Sequence, residues 1–196
     1  MKEFTPRGYL DFLGKLERMK SVPRHSITVE GVKESVAAHS WRLAVMAYLL
    51  KNEVDDDVDI DKVIRMCLLH DIGEAVTNDI PSFNKTDEDR ETEDKAVDQL
   101  LRLLPDRLYR EFSELFGEME ERKTKEAKMY KALDNMEAVI QHNESDISTW
   151  LPLEYDLQQT YGMDTAKGQP LMEELRAEVL NDTLKKIETE GKKYNK

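Results

Sequence analysis

Residues 59–74 read DIDKVIRMCLLHDIGE, and this stretch indicates what kind of fold the chain adopts. Its apolar residues recur at the three- and four-residue spacing of a helix, and Asp59 is placed to cap the first turn. His70 falls on the apolar face, Asp71 follows it directly, and Glu74 lies one turn further on. The stretch therefore predicts a buried helix that carries three titratable groups toward the core.

The same helical spacing recurs along most of the chain. Pro23 and Gly31 mark a first irregular loop, and residues 145–169 are predicted to be mostly loop. No segment alternates as a strand does, and no internal repeat is visible. The predicted fold is all-α, a compact single-domain helical bundle of residues 1–196 with its core at 9–160. Helices are expected at about residues 9–19, 36–52, 60–76, 87–104, 106–120, 122–143, 154–161 and 170–190, the last packing on the core.

Composition limits the classes of protein to consider. The chain has 196 residues, with 29 Lys and Arg against 41 Asp and Glu, and a formal net charge of -12. Such acidity disfavours binding to a nucleic acid polymer, which needs clustered cations. The longest apolar run, residues 43–50, is far shorter than the roughly 20 residues that span a bilayer. Cys67 is the only cysteine, which excludes an internal disulfide. We expect a cytoplasmic protein that does not bind membranes.

Two further polar residues lie on apolar helical faces. His39 shares a face with apolar neighbours on the second predicted helix, and Asp134 does so on a later one. Each alone has an ordinary explanation, a hydrogen-bonded core histidine or a carboxylate paired with arginine. Together with His70 and Asp71 they offer two imidazole nitrogens and two carboxylates, a set that suits one divalent ion such as Mn²⁺, Co²⁺, Ni²⁺ or Zn²⁺. The pattern favours a metal site.

The order of these residues resembles that of the HD-domain metal-dependent phosphohydrolases, and within them the 5′-deoxynucleotidase branch. The likeness covers about residues 9–160. The matching elements are PR at 23–24, ESVAAHS at 34–40, LLHDIGE at 68–74, NDIP at 78–81 and KALD at 131–134.

The resemblance implies a helical fold of the HD-domain type and a homodimer. It also implies removal of the 5′-phosphate from deoxynucleoside monophosphates, with a metal-activated water attacking phosphorus. It implies that Glu74 and Asp79 serve catalysis and that Asp79 and Arg24 lie at the nucleotide. From the residues alone, Asp79 fits a turn equally well, and Arg24 fits a solvated loop. The ligands that the resemblance implies for the metal are His39, His70, Asp71 and Asp134.

One position leaves the preference for a nucleotide base open. Some members of the family carry a tryptophan after the arginine, at a place that contacts the base, and this chain has His25 there. His142 is expected at the surface or an interface, and with four histidines a dinuclear centre is not expected. Residues 85–95 are expected to form a solvated face or a flap near the site. Two alternatives remain: an HD phosphohydrolase acting on a cyclic nucleotide, triphosphate or alarmone, and a non-catalytic metal-binding scaffold.

Overall fold

The computed structural model describes residues 2–191 of the chain, and the elements below belong to that part. Met1 and residues 192–196, which the predicted single domain includes, lie outside the described residues. The helices are α1 (Pro6–Leu16), α2 (Val36–Leu49), α3 (Ile60–Leu69), α4 (Glu74–Thr77), α5 (Asp87–Leu101), α6 (Asp106–Glu121), α7 (Lys125–Glu144), α8 (Glu154–Thr160), α9 (Met163–Ala166) and α10 (Pro170–Glu190). The strands are β1 (Pro23–Ile27) and β2 (Lys33–Ser35), and short 3-10 turns lie at Glu17–Lys20 and Ile147–Thr149. The helical fold class is confirmed.

Side chains cap the helices that position the site. Ser35 Oγ accepts from the Ala38 N–H at the start of α2. Asp59 does the same for Lys62 at the start of α3. These caps satisfy backbone donors that the helices cannot satisfy themselves, and they fix where each helix begins. The start of each helix determines which of the residues that follow face the core.

Helix α7 is the centre of the molecule. It packs against α2, α3, α6, α9 and α10, and also against β1. Every residue from 131 to 142 is buried or half-buried, so this helix has no solvent face over three turns. A helix enclosed on all sides can present polar groups in more than one direction without exposing them to bulk water.

One strand pair departs from the predicted all-helical pattern. The loop expected around Pro23 is instead strand β1, which pairs antiparallel with β2. β1 does not alternate cleanly between buried and exposed positions, and its pairing with β2 is irregular. A short, irregular hairpin has no period for a sequence pattern to reveal. Its place beside α7 brings Arg24 and His25 to the core of the bundle.

The helix predicted at residues 60–76 breaks at the point where its polar residues cluster. α3 ends at Leu69, and a turn through His70–Gly73 leads into the short α4. A Cβ on Gly73 would lie 2.9 Å from Val97 Cγ2 of α5, so only glycine lets α5 approach this turn without a shift. The turn is thus fixed by direct packing.

An apolar stripe on α2 is exposed. Trp41, Val45, Tyr48 and Leu49 all face outward, and Trp41 is 64% exposed. This exposure excludes Trp41 and Tyr48 from the core. Within residues 2–191, no helix combines the length and the apolar character needed to cross a bilayer.

Candidate metal centre and active site

Four side chains from three helical segments meet at one point. His39 Nε2 lies 3.3 Å from His70 Nε2 and 3.1 Å from Asp134 Oδ1. Asp71 Oδ2 is 2.9 Å from His70 Nε2 and 4.0 Å from His39 Nε2. We call these four residues the tetrad. The structure brings together the whole set expected to bind a metal.

Both histidines of the tetrad are held from behind. His70 Nδ1 donates to the Cys67 carbonyl oxygen at 3.0 Å, and His39 Nδ1 is in close contact with Glu137 Oε2. A carbonyl oxygen can only accept, so His70 carries its proton on Nδ1 and presents Nε2 to the tetrad. Such anchoring fixes the ring and raises the basicity of the free nitrogen.

The titration of the tetrad reflects crowded opposite charges. Burial disfavours the charged form of His70, but Asp71 and Asp134 outweigh it and raise the pKa of His70 to about 10. Burial would raise the pKa of Asp71, yet the neighbouring His70 holds it well below its usual value. The pKa of Asp134 is lowered because Lys131 and the two histidines outweigh burial. Carboxylates kept ionised beside imidazoles are the donors that a dication requires, so the residues fit a divalent ion.

Glu74 lies at the edge of the tetrad without contributing to it. Its side chain is buried, and Oε2 has no hydrogen-bond partner among the described residues. One carboxylate oxygen of Glu74 lies within 4.8 Å of oxygens of Asp71 and Glu93. Burial, followed by the charges of Asp71 and Asp79, raises the pKa of Glu74 to about 9. An unpaired buried carboxyl group is costly to the fold, which makes it a candidate for chemistry.

Asp79 reaches the same space from the loop after α4. The preceding Asn78 has a positive φ of 65° and accepts a hydrogen bond from Arg18 at 2.9 Å. This left-handed residue turns the chain so that Asp79 lines the cavity in front of the tetrad. Burial raises the pKa of Asp79, with Arg24 opposing the shift.

Arg24 is a largely buried residue with acidic neighbours. Its Nη1 lies 3.6 Å from Glu34 Oε2 and 3.6 Å from Glu137 Oε2, contacts that the sequence did not reveal. Burial opposes the charge on Arg24, but Glu137, Asp71 and Glu34 keep its pKa above the ordinary value. Nη1 makes no hydrogen bond to any described residue. The solvated-loop alternative for Arg24 is therefore wrong.

A cavity of about 160 Å³ opens in front of these groups. Arg24, Glu74 and Asp79 line it together with Asp71 and Asp134. A second cavity of about 520 Å³ borders His70 and Asp71 from the side of α5 and α6, but Arg24, Glu74 and Asp79 do not line it. The residues expected to act on a substrate therefore converge in the first cavity.

A second cluster lines the same cavity further along α7. Glu154 Oε1 is 3.0 Å from His25 Nε2 and 2.9 Å from His142 Nε2. The two imidazole rings stack with centroids 5.9 Å apart, and Phe83 meets His25 edge-on at 5.6 Å. We call His25, His142 and Glu154 the triad. Sequence reasoning placed His142 at the surface or an interface and did not single out Glu154. His142 is instead buried in the wall of the cavity, so the prediction for His142 is wrong.

The segment from Lys85 to Lys95 has two parts. Lys85 contacts Glu93 closely, and both side chains are largely buried next to Glu74. Glu91 and Lys95 are exposed, as a solvated face would be. Lys85 also lines both cavities. The segment therefore contributes a cation to the wall of the site.

Comparisons with known proteins agree with this geometry. The family model described as HD domain matches residues 16–176. The human protein named 5′-deoxynucleotidase HDDC2 is 37% identical over 142 residues, covering 70% of this chain and 68% of that protein. The Dictyostelium discoideum protein of the same name is 32% identical over 143 residues, covering 68% of this chain and 75% of that protein.

Solved structures share the fold. A structure titled as a predicted metal-dependent phosphohydrolase from Magnetospirillum magnetotacticum superposes with a TM-score of 0.78 at 27% identity, covering 92% of this chain and 93% of that one. A conserved hypothetical protein from Pyrococcus furiosus superposes with a TM-score of 0.63 at 26% identity, covering 88% and 99%.

Proposed function

The chain belongs to the HD-domain family, in its 5′-deoxynucleotidase branch, and from this premise we propose that it is a phosphohydrolase that removes the 5′-phosphate of deoxynucleoside monophosphates. The observation that carries the proposal is the convergence of the tetrad beside a cavity lined by Arg24, Glu74 and Asp79. Hydrolysis of a phosphomonoester needs a charge-neutralising centre, a proton acceptor, a proton donor and a cation for the phosphate. Each of these has a candidate in this cavity.

The tetrad would hold one divalent ion through His39 Nε2, His70 Nε2 and carboxylate oxygens of Asp71 and Asp134. When bound, the ion supplies Lewis acidity, which makes a water more acidic and draws charge from a phosphoryl oxygen. The mixed nitrogen and oxygen donors favour Mn²⁺, Co²⁺, Ni²⁺ or Zn²⁺. Lys131 Nζ donates to Asp134 Oδ2 at 2.5 Å and orients that carboxylate.

Glu74 accepts the proton of the attacking water. Its Oε2 is buried beside the tetrad with no protein partner within residues 2–191, so it is free to bind a water. In the loaded site, added positive charge nearby favours the ionised carboxylate, which is the form that can take a proton.

Asp79 protonates the leaving 5′-oxygen. Burial raises its pKa, and a raised pKa suits a carboxyl group to donate a proton as a general acid. The same residue lines the cavity in front of the tetrad, which is where the nucleotide would bind.

Arg24 binds the phosphate, and His25 lies toward the sugar and base. Nη1 of Arg24 has a hydrogen available for a phosphate oxygen, and guanidinium can bind two such oxygens at once. His142 of the triad is eight residues beyond Asp134 of the tetrad, a separation of about 12 Å along an ideal helix. A mononucleotide with its phosphate at the tetrad would extend toward His25.

The proposal extends to assembly and compartment. The exposed stripe Trp41, Val45, Tyr48 and Leu49 supports a homodimer formed through α2, because exposed apolar faces commonly mark protein interfaces. The single cysteine is buried and unpaired, which is consistent with the cytoplasm. The whole chain, residues 1–196, is proposed to form one HD domain.

A substrate panel tests the proposal. Metal-stripped protein is incubated with deoxyribonucleoside and ribonucleoside monophosphates, then given Mn²⁺, Co²⁺, Ni²⁺ or Zn²⁺, and phosphate release is followed. Release from deoxynucleotides with at least one ion is expected, and the Glu174→Gln variant, altered at an exposed position of α10, should match the parent chain. Release of pyrophosphate or tripolyphosphate, or ring opening of a cyclic nucleotide, would support the other HD activities instead. No turnover with any ion and any substrate would leave the scaffold alternative.

A further inference from the structure

The triad contains a pair of acceptors that face each other. His142 Nδ1 donates to the Ala138 carbonyl oxygen at 2.8 Å, so a neutral His142 ring carries its lone pair on Nε2. That nitrogen points at Glu154 Oε1, 2.9 Å away. A lone pair and a carboxylate at this distance repel each other unless a positive charge lies between or beside them. Either a proton or a cation must supply that charge.

Glu154 is fixed in place by the backbone. Its side chain is 1% exposed, and its second oxygen, Oε2, accepts from the Leu151 N–H at 2.7 Å. Oε1 is thereby aimed at the two imidazole nitrogens. His25, His142 and Glu154 come from β1, α7 and α8, so three separate elements deliver three donor atoms that lie within 4.8 Å of one another.

The triad repeats the construction of the tetrad. In each cluster one histidine donates from Nδ1 to a backbone carbonyl a turn earlier on its own segment and presents Nε2 to a carboxylate. In each, a second histidine comes from another element. Anchoring of this kind around ligand nitrogens is typical of metal sites. Aromatic side chains, Phe83 and Trp150, flank the triad histidines and lower the local dielectric.

We propose that His25 Nε2, His142 Nε2 and Glu154 Oε1 form a second binding site for a divalent cation. Two imidazoles and one carboxylate favour ions of the Zn²⁺, Ni²⁺ or Cu²⁺ type over Mg²⁺ or Ca²⁺. All three residues line the cavity, so the remaining coordination positions face the space that the substrate would enter. With one carboxylate instead of two, the site holds its ion more weakly than the tetrad does.

The two sites are separate mononuclear centres. Ions that share a dinuclear centre lie about 3.5–4 Å apart. Asp134 and His142 are on one continuous helix, eight residues or about 12 Å apart along its axis. Metal counting can therefore treat each cluster independently, and the second site does not depend on the proposed reaction.

Metal stoichiometry of the full chain tests the second site. Stripped protein is dialysed against Zn²⁺, and bound zinc is counted by elemental analysis. The expected result is about two equivalents per chain for the parent and about one for His142→Gln, while His70→Ala retains the triad equivalent. Loading with Co²⁺ gives an independent readout, because the visible absorption of the triad site should disappear in His142→Gln and persist in His70→Ala. Circular dichroism establishes that each variant is folded, and Glu154→Gln provides a second test at the same site.

A proton is the competing occupant. If the parent chain binds one equivalent and His142→Gln still binds one, the triad is a protonated histidine–carboxylate pair and the proposal is wrong. The same conclusion follows if NMR of the His142 ring shows no change when zinc is added beyond the first equivalent. Failure of the phosphatase assay would leave both of these readouts unaffected.

Discussion

The tetrad and the triad both combine imidazoles with carboxylates, and α7 supplies one residue to each, yet the two clusters differ in charge. The tetrad contains two carboxylates, and two more, those of Glu137 and Glu74, lie next to it. The triad has Glu154 alone. The concentration of negative charge at the tetrad attracts a dication strongly and makes the empty cluster costly to fold. The triad obtains its order from backbone hydrogen bonds and aromatic neighbours instead.

The largest expected effect is at the tetrad. Asp71→Asn removes one ligand charge and should lower kcat by about 1000-fold or more, with loss of the tightly bound metal. Activity and metal content are measured together, with Glu174→Gln as the control. An Asp71→Asn variant that keeps more than about a tenth of the activity would show that the tetrad is not the centre of reaction.

Glu74 separates chemistry from metal binding. Glu74→Gln keeps the shape of the side chain but cannot accept a proton, so turnover should fall about 100-fold while the metal content stays unchanged. Steady-state kinetics measure the turnover, and elemental analysis measures the metal content. Unchanged turnover would favour the scaffold alternative over an enzyme.

Arg24 should affect binding more than turnover. Arg24→Lys keeps the charge but loses the planar fork, and the loss of a bidentate phosphate contact should raise KM about tenfold, with a smaller change in kcat. The matched control is Arg7→Lys, because Arg7 is exposed and pairs with Asp11 far from the cavity. Equal changes in KM for the two substitutions would show that Arg24 does not bind the phosphate.

The smallest effect concerns stability, and its sign differs between the clusters. The pKa of Glu74 in the metal-free protein is raised to about 9, so its stabilising contribution is complete below pH 4.5 and is lost as pH rises through about 9. Glu74→Gln should therefore raise the stability of the metal-free protein at pH 8, by on the order of 2 kcal/mol.

Glu154 should behave in the opposite way. Burial would raise its pKa, but the close contact with His142 and the hydrogen bond from the Leu151 N–H keep it lowered. Its contribution is thus present above pH 4.5 and lost as pH falls below that value. Glu154→Gln should lower the melting temperature at pH 8 by a few degrees, roughly, with a smaller difference near pH 4. Thermal melts of the metal-free Glu74→Gln and Glu154→Gln variants at both pH values test these two predictions. Changes in melting temperature of the same sign at pH 8 would contradict the opposite behaviour of the two carboxylates.

Much of the tetrad could be predicted because each residue interrupts an otherwise apolar helical face. His39 and Asp134 lie among apolar neighbours, and a polar group in such a position needs a reason. The helical spacing of apolar residues likewise located the helices, and α10 begins and ends at the predicted residues. The ligand roles of the tetrad remain a prediction that the metal experiments address.

The triad could not be predicted for two physical reasons. Helix α7 is enclosed around its whole circumference over residues 131–142. His142 is therefore buried even though it lies on a different face of the helix from Asp134. The partners of His142 come from a hairpin without alternation and from a short helix within a predicted loop, and His25 and Glu154 are 129 residues apart. The local sequence pattern of each segment gives no indication that it contacts the other two.

Because α7 carries both Asp134 and His142, the length of helix between these residues sets the distance between the two clusters. A substitution between them changes a side chain, whereas inserting or deleting one residue would turn everything beyond it by about 100° and move it by about 1.5 Å. His142 would then leave the cavity wall. Residues 134–142 should therefore vary among related sequences in composition but not in length.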